Sequence, residues 1–368
     1  MAFEILDRGF VSKRATDAPN PVSAGSRCVT TPEGLLCTFM VQSKLGINDF
    51  IPVISRSNDL GRTWSPDEPI WPHLAERFSL FGSVSRARDG ELFLYGIRTP
   101  IDTPGETFWS DATQGLKPNE LFWASSVDGG RNWSEPEPIP MPIPGAAEAP
   151  GPMCVTRAGR WIVCYAPYNT FDPAVRVDRG QVVALLSGDG GKTWEYRSML
   201  RFAEPQSGSA EAWVIELADR RLLGTCWHMS HADGSDYPNA FSLSEDGGRT
   251  WSPTRSTGIR GQSTALTALP DGSALFVYNQ RKQPPIGVWA AVVRPTAGDF
   301  GVQTNEIIWH AATPTQERGS VGHDNWTDFA FGEPAVTLLP DGGTLLLVLW
   351  SIQPDGQGIA SVRFRFRD

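Results

Sequence analysis

The sequence predicts an all-β chain folded as a six-bladed propeller of four-stranded antiparallel blades, with the N-terminal strand closing the last blade. Three observations carry this reading. A motif close to "SxDxGxTW" occurs four times, as "SNDLGRTW" at Ser57–Trp64, "SVDGGRNW" at Ser126–Trp133, "SGDGGKTW" at Ser187–Trp194 and "SEDGGRTW" at Ser244–Trp251. A short turn between two apolar runs occurs six times, and its turn positions (Gly34, Gly90, Gly159, Arg220, Gly272, Gly342) stand 56, 69, 61, 52 and 70 residues apart. That period is too long for one hairpin and suits one four-stranded unit. Helical periodicity is missing, and "PHLAERFSL" from Pro72 supports at most one or two turns.

Each unit reads as strand A, the turn, strand B, a variable loop, strand C, the repeated motif and strand D. In blade four "WVIEL" is A, "RLLGTCW" is B and "NAFSLS" is C. The first strand, "FEILDRGFV", has no turn before it and the last, "GIASVRFRF", has no motif after it. The two therefore pair to close the ring, which makes residues 1–368 one propeller domain with only short, protected sheet edges.

Composition sets the outer bounds. With 368 residues the chain can bury a large core, and its net charge of -9, without blocks of like charge, argues against a nucleic-acid or anionic-membrane footprint. Five cysteines (Cys28, Cys37, Cys154, Cys164, Cys226) lack metal-type spacing and read as buried free thiols of a reducing compartment. The start, "MAFEILDRGF", has neither the basic residues nor the apolar run of a signal peptide, and no stretch approaches a membrane span. The expectation is a cytoplasmic protein.

In the repeated motif the aspartate can accept bonds from turn N–H groups, the glycine supplies a special backbone shape and the tryptophan packs between sheets. Each part serves the turn, so Asp59, Asp128, Asp189 and Asp246 are expected to be structural. Chain alternation places these turns on one rim and the starts of the A strands on the other. Counting back nine residues from the turn position gives Glu333, Ser263, Glu211 and, in blade three, Pro150 with Glu148 just before it. Three carboxylates thus converge on the axis, where burial can push their pKa values apart for acid, base or nucleophile work.

The repeats resemble the Asp boxes of the sialidase superfamily, and the pattern of strand pairs is similar along nearly the whole chain. The resemblance implies a glycosidase propeller, with Glu211 in the place of the glutamate that activates a nucleophilic tyrosine. The position of that tyrosine holds Glu333. Of the three arginines implied for a substrate carboxylate, the first is met only by Arg27, about three residues late. The second is replaced by Trp227 and His228, and the third is matched by Arg281. The acid/base aspartate is implied at Asp49 of "GINDF". Loss of the arginine clamp and of the tyrosine together imply a substrate without sialic acid's carboxylate, for which a carboxylate pair suffices.

The expected function is therefore an exo-acting glycoside hydrolase on a non-sialic glycan, with Glu211 and Glu333 as the catalytic pair and Glu148 and Asp49 in reserve. Substrate contacts are expected from Arg98 and Trp109 of the long blade-two loop, from Tyr168, His228 and Arg281, and from His323, Asp324, Trp326 and Asp328 before blade six. Two alternatives remain open. A polysaccharide lyase would use His228, His323 or Tyr168 with Arg281 on a uronate, and a non-catalytic propeller would only bind glycan. His228 and His231 stand three apart without a third ligand, so no metal is expected. Phosphate loops, dinucleotide fingerprints and serine-hydrolase elbows do not occur, and no cofactor is expected.

Overall fold

A computed structural model describes residues 3–367 other than 205, 318, 320 and 322; the side chains of 323 and 324 are also outside the description. Six antiparallel sheets surround one axis, five with four strands and one, blade three, with its inner strand broken in two. Inner strands run Val22–Thr31, Phe78–Arg86, Ala146–Glu148 with Cys154–Val155, Ser207–Glu216, Gln262–Ala268 and Phe331–Leu338. The N-terminal strand Phe3–Arg14 pairs antiparallel with Gly356–Phe366, from Phe3 opposite Phe366 to Arg14 opposite Gln357. Blade six is thus closed by the beginning of the chain, as expected from the unmatched first and last strands. "PHLAERFSL" contributes one short 3-10 turn, Pro72–Leu74.

Hydrophobic cores lie between neighbouring sheets, because strands buried on both faces are near-continuous apolar runs, such as Leu345–Leu349 in blade six. Inner-strand hydroxyls tie blade to blade. Thr337 donates to the Cys28 carbonyl at 2.7 Å across the ring closure, and Thr267 donates to the Val336 carbonyl at 2.6 Å. All five cysteines are free thiols, with Cys28 directly opposite Cys37 in blade one.

The four repeated motifs lie between strands C and D and are built alike. In blade two, Asp128 accepts the backbone N–H groups of Arg131 and Asn132 at 3.1 and 2.9 Å and the Asn132 amide at 2.6 Å. Gly130 has φ 79°, and a Cβ there would lie 2.5 Å from Leu36 of blade one, so glycine is required both by the turn and by the neighbouring sheet. The motif tryptophans Trp64, Trp133, Trp194 and Trp251 pack, partly buried, against the cores between blades. Their aspartates are held low by these bonds, with Asp59, Asp128 and Asp189 near about 2.

A carboxylate with a lowered pKa adds stability above its unfolded value, and the addition is lost as pH falls through the folded value. Asp128→Ala should therefore lower unfolding stability by about 1–2 kcal/mol at pH 7, and the deficit should fade between about pH 4 and pH 2. Urea unfolding across that range measures it.

Candidate active site

Four of the inner strands share one irregularity. The register against the next strand slips between Ala24 and Arg27, Ala210 and Trp213, Gln262 and Thr264, and Gly332 and Ala335. Within each slip one residue adopts a left-handed backbone: Gly25 at φ 60°, Glu211 at 53°, Ser263 at 50° and Glu333 at 48°. These are bulges at equivalent points of blades one, four, five and six, each nine residues before its turn. Glycine takes this conformation freely, whereas for glutamate and serine it costs of order 1–3 kcal/mol. Blade three departs from the pattern because Pro150 has no N–H to pair, and its strand breaks there.

Hydrogen bonds between the bulges hold the strain in place. Ser263 Oγ donates to Glu211 Oε1 at 2.5 Å, the Glu211 N–H donates to Glu148 Oε2 at 2.9 Å, and the Gly25 N–H donates to Glu333 Oε2 at 2.7 Å. Beneath them lies Arg27, almost fully buried, donating to the carbonyls of Ser26, Glu333 and Pro150 and stacking over Trp213. One guanidinium thus joins blades one, six and three under the carboxylates. Arg281 is equally buried; it donates to the Phe331 carbonyl and to Gln262 Oε1, with its guanidinium 4.0 Å from the centre of the Phe329 ring.

Above this floor opens a cavity of about 180 Å³, walled mostly by aromatic and aliphatic side chains. Its floor holds Glu148, Glu211 and Glu333; Phe108, Trp109, Trp326 and Trp350 are among its walls. Phe108 stacks on Trp326 with ring centres 5.3 Å apart. Such walls withdraw water from the carboxylates and disfavour their charged forms. Burial, reinforced by the charge on Glu333, pushes the Glu211 carboxyl up to about 8. Burial followed by Glu211 also raises Glu148 well above the ordinary range. Glu333 is raised by burial too, but Arg27, the Gly25 N–H, Arg281 and the Trp350 indole all favour its anion. All three carboxyls in this dry site are thus raised, and Glu333 is the one whose anion has the most groups favouring it. Glu211 Oε2 has no hydrogen-bond partner among the described residues.

Of the residues expected from sequence, Glu148, Glu211, Glu333, Tyr168, Arg281, Trp109 and Trp326 line this cavity. Asp49, Arg98 and His228 do not; each stands one residue from a side chain that does, and for the strand residues Arg98 and His228 the reason is alternation. Extended backbone sends successive side chains to opposite faces, so an estimate one residue out selects the wrong face. Asn48 and Phe50 line the cavity while Asp49 turns to the Ser43 N–H and hydroxyl. Ile97 and Thr99 line it while Arg98 pairs with Glu120 and covers Phe78. Trp227 lines it while His228 is stacked at 4.2 Å on Phe202, and burial lowers its pKa. Asp328 accepts the Glu317 and Gly319 N–H groups and so shapes its loop. The side chains of His323 and Asp324 lie outside the described residues. Sequence reasoning missed Gln42, Asn48, Lys117 and Phe329, which come from a strand end and loops, and Trp350, inside the strand Thr344–Gln353 of blade six. Among the described residues no group of three His, Cys, Asp or Glu side chains is placed to hold a metal.

Comparison with known proteins agrees with the architecture. The family described as "BNR repeat-like domain" matches residues 83–295. No curated protein matches the chain. A Dyadobacter fermentans protein of unknown function superposes with TM-score 0.74 at 20% identity, covering 99% of both chains. A Hadza microbial sialidase superposes with TM-score 0.64 at 18% identity over 97% of this chain and 68% of its own. A Penicillium chrysogenum alpha-L-arabinanase, complexed with arabinobiose, gives 0.63 at 14% over 98% of both. At these identities the likeness is one of fold.

The raised pKa of Glu211 has a thermodynamic signature. Its stabilising contribution is complete below about pH 4.5 and is lost as pH rises through about 8. Glu211→Gln removes this titration, so its stability relative to the parent should improve by on the order of 1 kcal/mol per pH unit between those limits. Chemical unfolding of both proteins from pH 5 to pH 9 measures the difference.

Proposed function

We infer that this chain, which belongs to the BNR repeat-like domain family, is a glycoside hydrolase acting on a neutral, non-sialic sugar. The observation that carries the reading is Glu211: a carboxyl with a raised pKa, beside a Glu333 whose own rise is opposed by Arg27, the Gly25 N–H and Arg281, at the bottom of an aromatic cavity on the propeller axis. That is the environment a general acid needs at neutral pH. Glu211, protonated and with Oε2 unpaired, delivers its proton to the glycosidic oxygen as the bond to the anomeric carbon breaks. Glu333 supplies the negative charge opposite the developing oxocarbenium ion, either by attacking the anomeric carbon or through a water. Glu148 accepts the Glu211 N–H and acts as a positioning residue that fixes the bulge.

The two buried arginines support a neutral substrate. Arg27 does not line the cavity, and Arg281, which does, is anchored to the Phe331 carbonyl and Gln262, so no cluster of arginines faces the substrate among the described residues. Aromatic walls suit the C–H faces of a sugar, and the propeller is shared by neighbours named as a sialidase and an arabinanase.

A panel of neutral 4-nitrophenyl glycosides and unactivated disaccharides tests the assignment. Glu211→Gln and Glu333→Gln should each lower kcat by about 10²–10⁴-fold. Glu211→Gln should lose less on 4-nitrophenyl substrates, whose leaving group needs little protonation, than on disaccharides. Turnover by the parent should fall as pH rises through about 8, as the acid loses its proton. If both variants keep full turnover on a substrate the parent hydrolyses, the reading is wrong.

A further inference from the structure

We infer that Gln42, Asn48 and Lys117 form a hydroxyl-recognising subsite in the cavity wall between blades one and two, selecting an uncharged ring with adjacent hydroxyls. This deepens the glycosidase reading and rests on it for the location of the substrate. All three residues line the cavity and are themselves buried, at 0%, 2% and 7% exposure.

Their polar atoms are oriented by their partners. Asn48 Nδ2 donates to the Pro100 carbonyl at 2.8 Å and to Glu106 Oε1 at 2.9 Å. The first is only an acceptor, and the second is kept an acceptor by Lys117, which favours the Glu106 anion. The amide cannot flip without facing two acceptors with its oxygen, so Oδ1 is the atom left over. It is buried and has no partner among the described residues. Gln42 repeats the arrangement: Nε2 donates to the Ile47 carbonyl at 3.4 Å and Oε1 is buried without a partner. Lys117 Nζ contacts Glu106 Oε1 and Asp102 Oδ2, two partners for three donors.

The wall is also rigid. The Asn48 N–H donates to the Glu106 carbonyl at 2.8 Å, Phe108 to Gly46 at 3.3 Å and Lys117 to Phe108 at 2.8 Å. Ile47 and Thr107 add a bridge between the same two loops. A buried acceptor without a donor is unfavourable, and a preformed wall that keeps two of them is arranged for a ligand bringing donors. The chemistry of that ligand follows. A carboxylate or phosphate has no donor for Gln42 and Asn48, and an ammonium group would meet Lys117. A hydroxyl both donates and accepts. Asn48 and Lys117 touch the same oxygen, Glu106 Oε1, so they lie close enough for neighbouring hydroxyls of one ring. The stacked Phe108–Trp326 pair offers a face for that ring's C–H groups.

Binding read without turnover tests the subsite. Free L-arabinose, D-galactose, D-glucose and L-rhamnose, their single-deoxy counterparts, D-galacturonate, D-glucuronate and N-acetylneuraminate are titrated against the full chain. The readout is fluorescence of the cavity tryptophans. At least one neutral sugar should saturate, and deoxygenation at two adjacent positions should weaken it about tenfold or more. Gln42→Met and Lys117→Met should each lose about tenfold and lose discrimination at one of those positions, with melting temperature reporting that they fold. The comparison of sugar with deoxy sugar in the parent stands even if a variant does not fold. The subsite is overturned if no neutral sugar binds, if uronates or N-acetylneuraminate bind at least as tightly, or if folded variants bind and discriminate as the parent does. Saturable, hydroxyl-selective binding without hydrolysis of the matching glycosides would instead uphold the subsite and remove the glycosidase reading.

Discussion

Negative charge on a dry axis is the constraint on which the rest of this structure depends. Glu148, Glu211 and Glu333 stand near one another where aromatic walls exclude water, and such charges must be paired or neutralised by protons. Both remedies are present. Arg27 lies under the floor and favours the Glu333 anion, while Glu211 and Glu148 are pushed towards their neutral forms. Glu333 differs from the other two in having Arg27, the Gly25 N–H, Arg281 and the Trp350 indole all favouring its anion. Arg27 itself is almost fully buried and does not line the cavity, its terminal nitrogens donating to carbonyls of blades one, three and six.

Backbone strain is the second half of the same arrangement. A regular inner strand would alternate its side chains between the two faces of its sheet and leave no glutamate aimed at the axis. Bulges at Glu211, Ser263 and Glu333 re-aim those side chains at the cost of left-handed backbone. Each bulge is then used by another: Ser263 bonds Glu211, Glu211 bonds Glu148, and Gly25 bonds Glu333. The packing between blades, set on the far rim by the motif glycines and tryptophans, keeps these points in fixed relation.

The repeats made the blade count, the strand order and the closing strand legible, because repetition at about 60 residues is a property of the chain itself. They also located Glu211 and Glu333, since a count from the turn is a count along equivalent strands. The far ends of the B strands and the loops beyond them carry no such ruler. Asp49, Arg98 and His228 each fell one residue from a side chain that lines the cavity, Asn48 or Phe50, Ile97 or Thr99, and Trp227. Polar chemistry alone favoured the charged neighbour, whereas strand parity decides which face is wet. Gln42 and Lys117 were invisible for another reason: each is held by a neighbour of its own blade, Gln42 by Ile47 and Lys117 by Glu106, and residue type alone does not mark such a contact as facing the cavity.

The central claim is that the floor of this cavity holds a carboxylic acid at neutral pH, and the most direct measurement is a ¹³C NMR titration of the chain labelled at its glutamate side-chain carboxyls. The account predicts a resonance that titrates near pH 8 and vanishes in Glu211→Gln. Complete ionisation of every glutamate below pH 6, with no resonance lost near pH 8 in that variant, would contradict it.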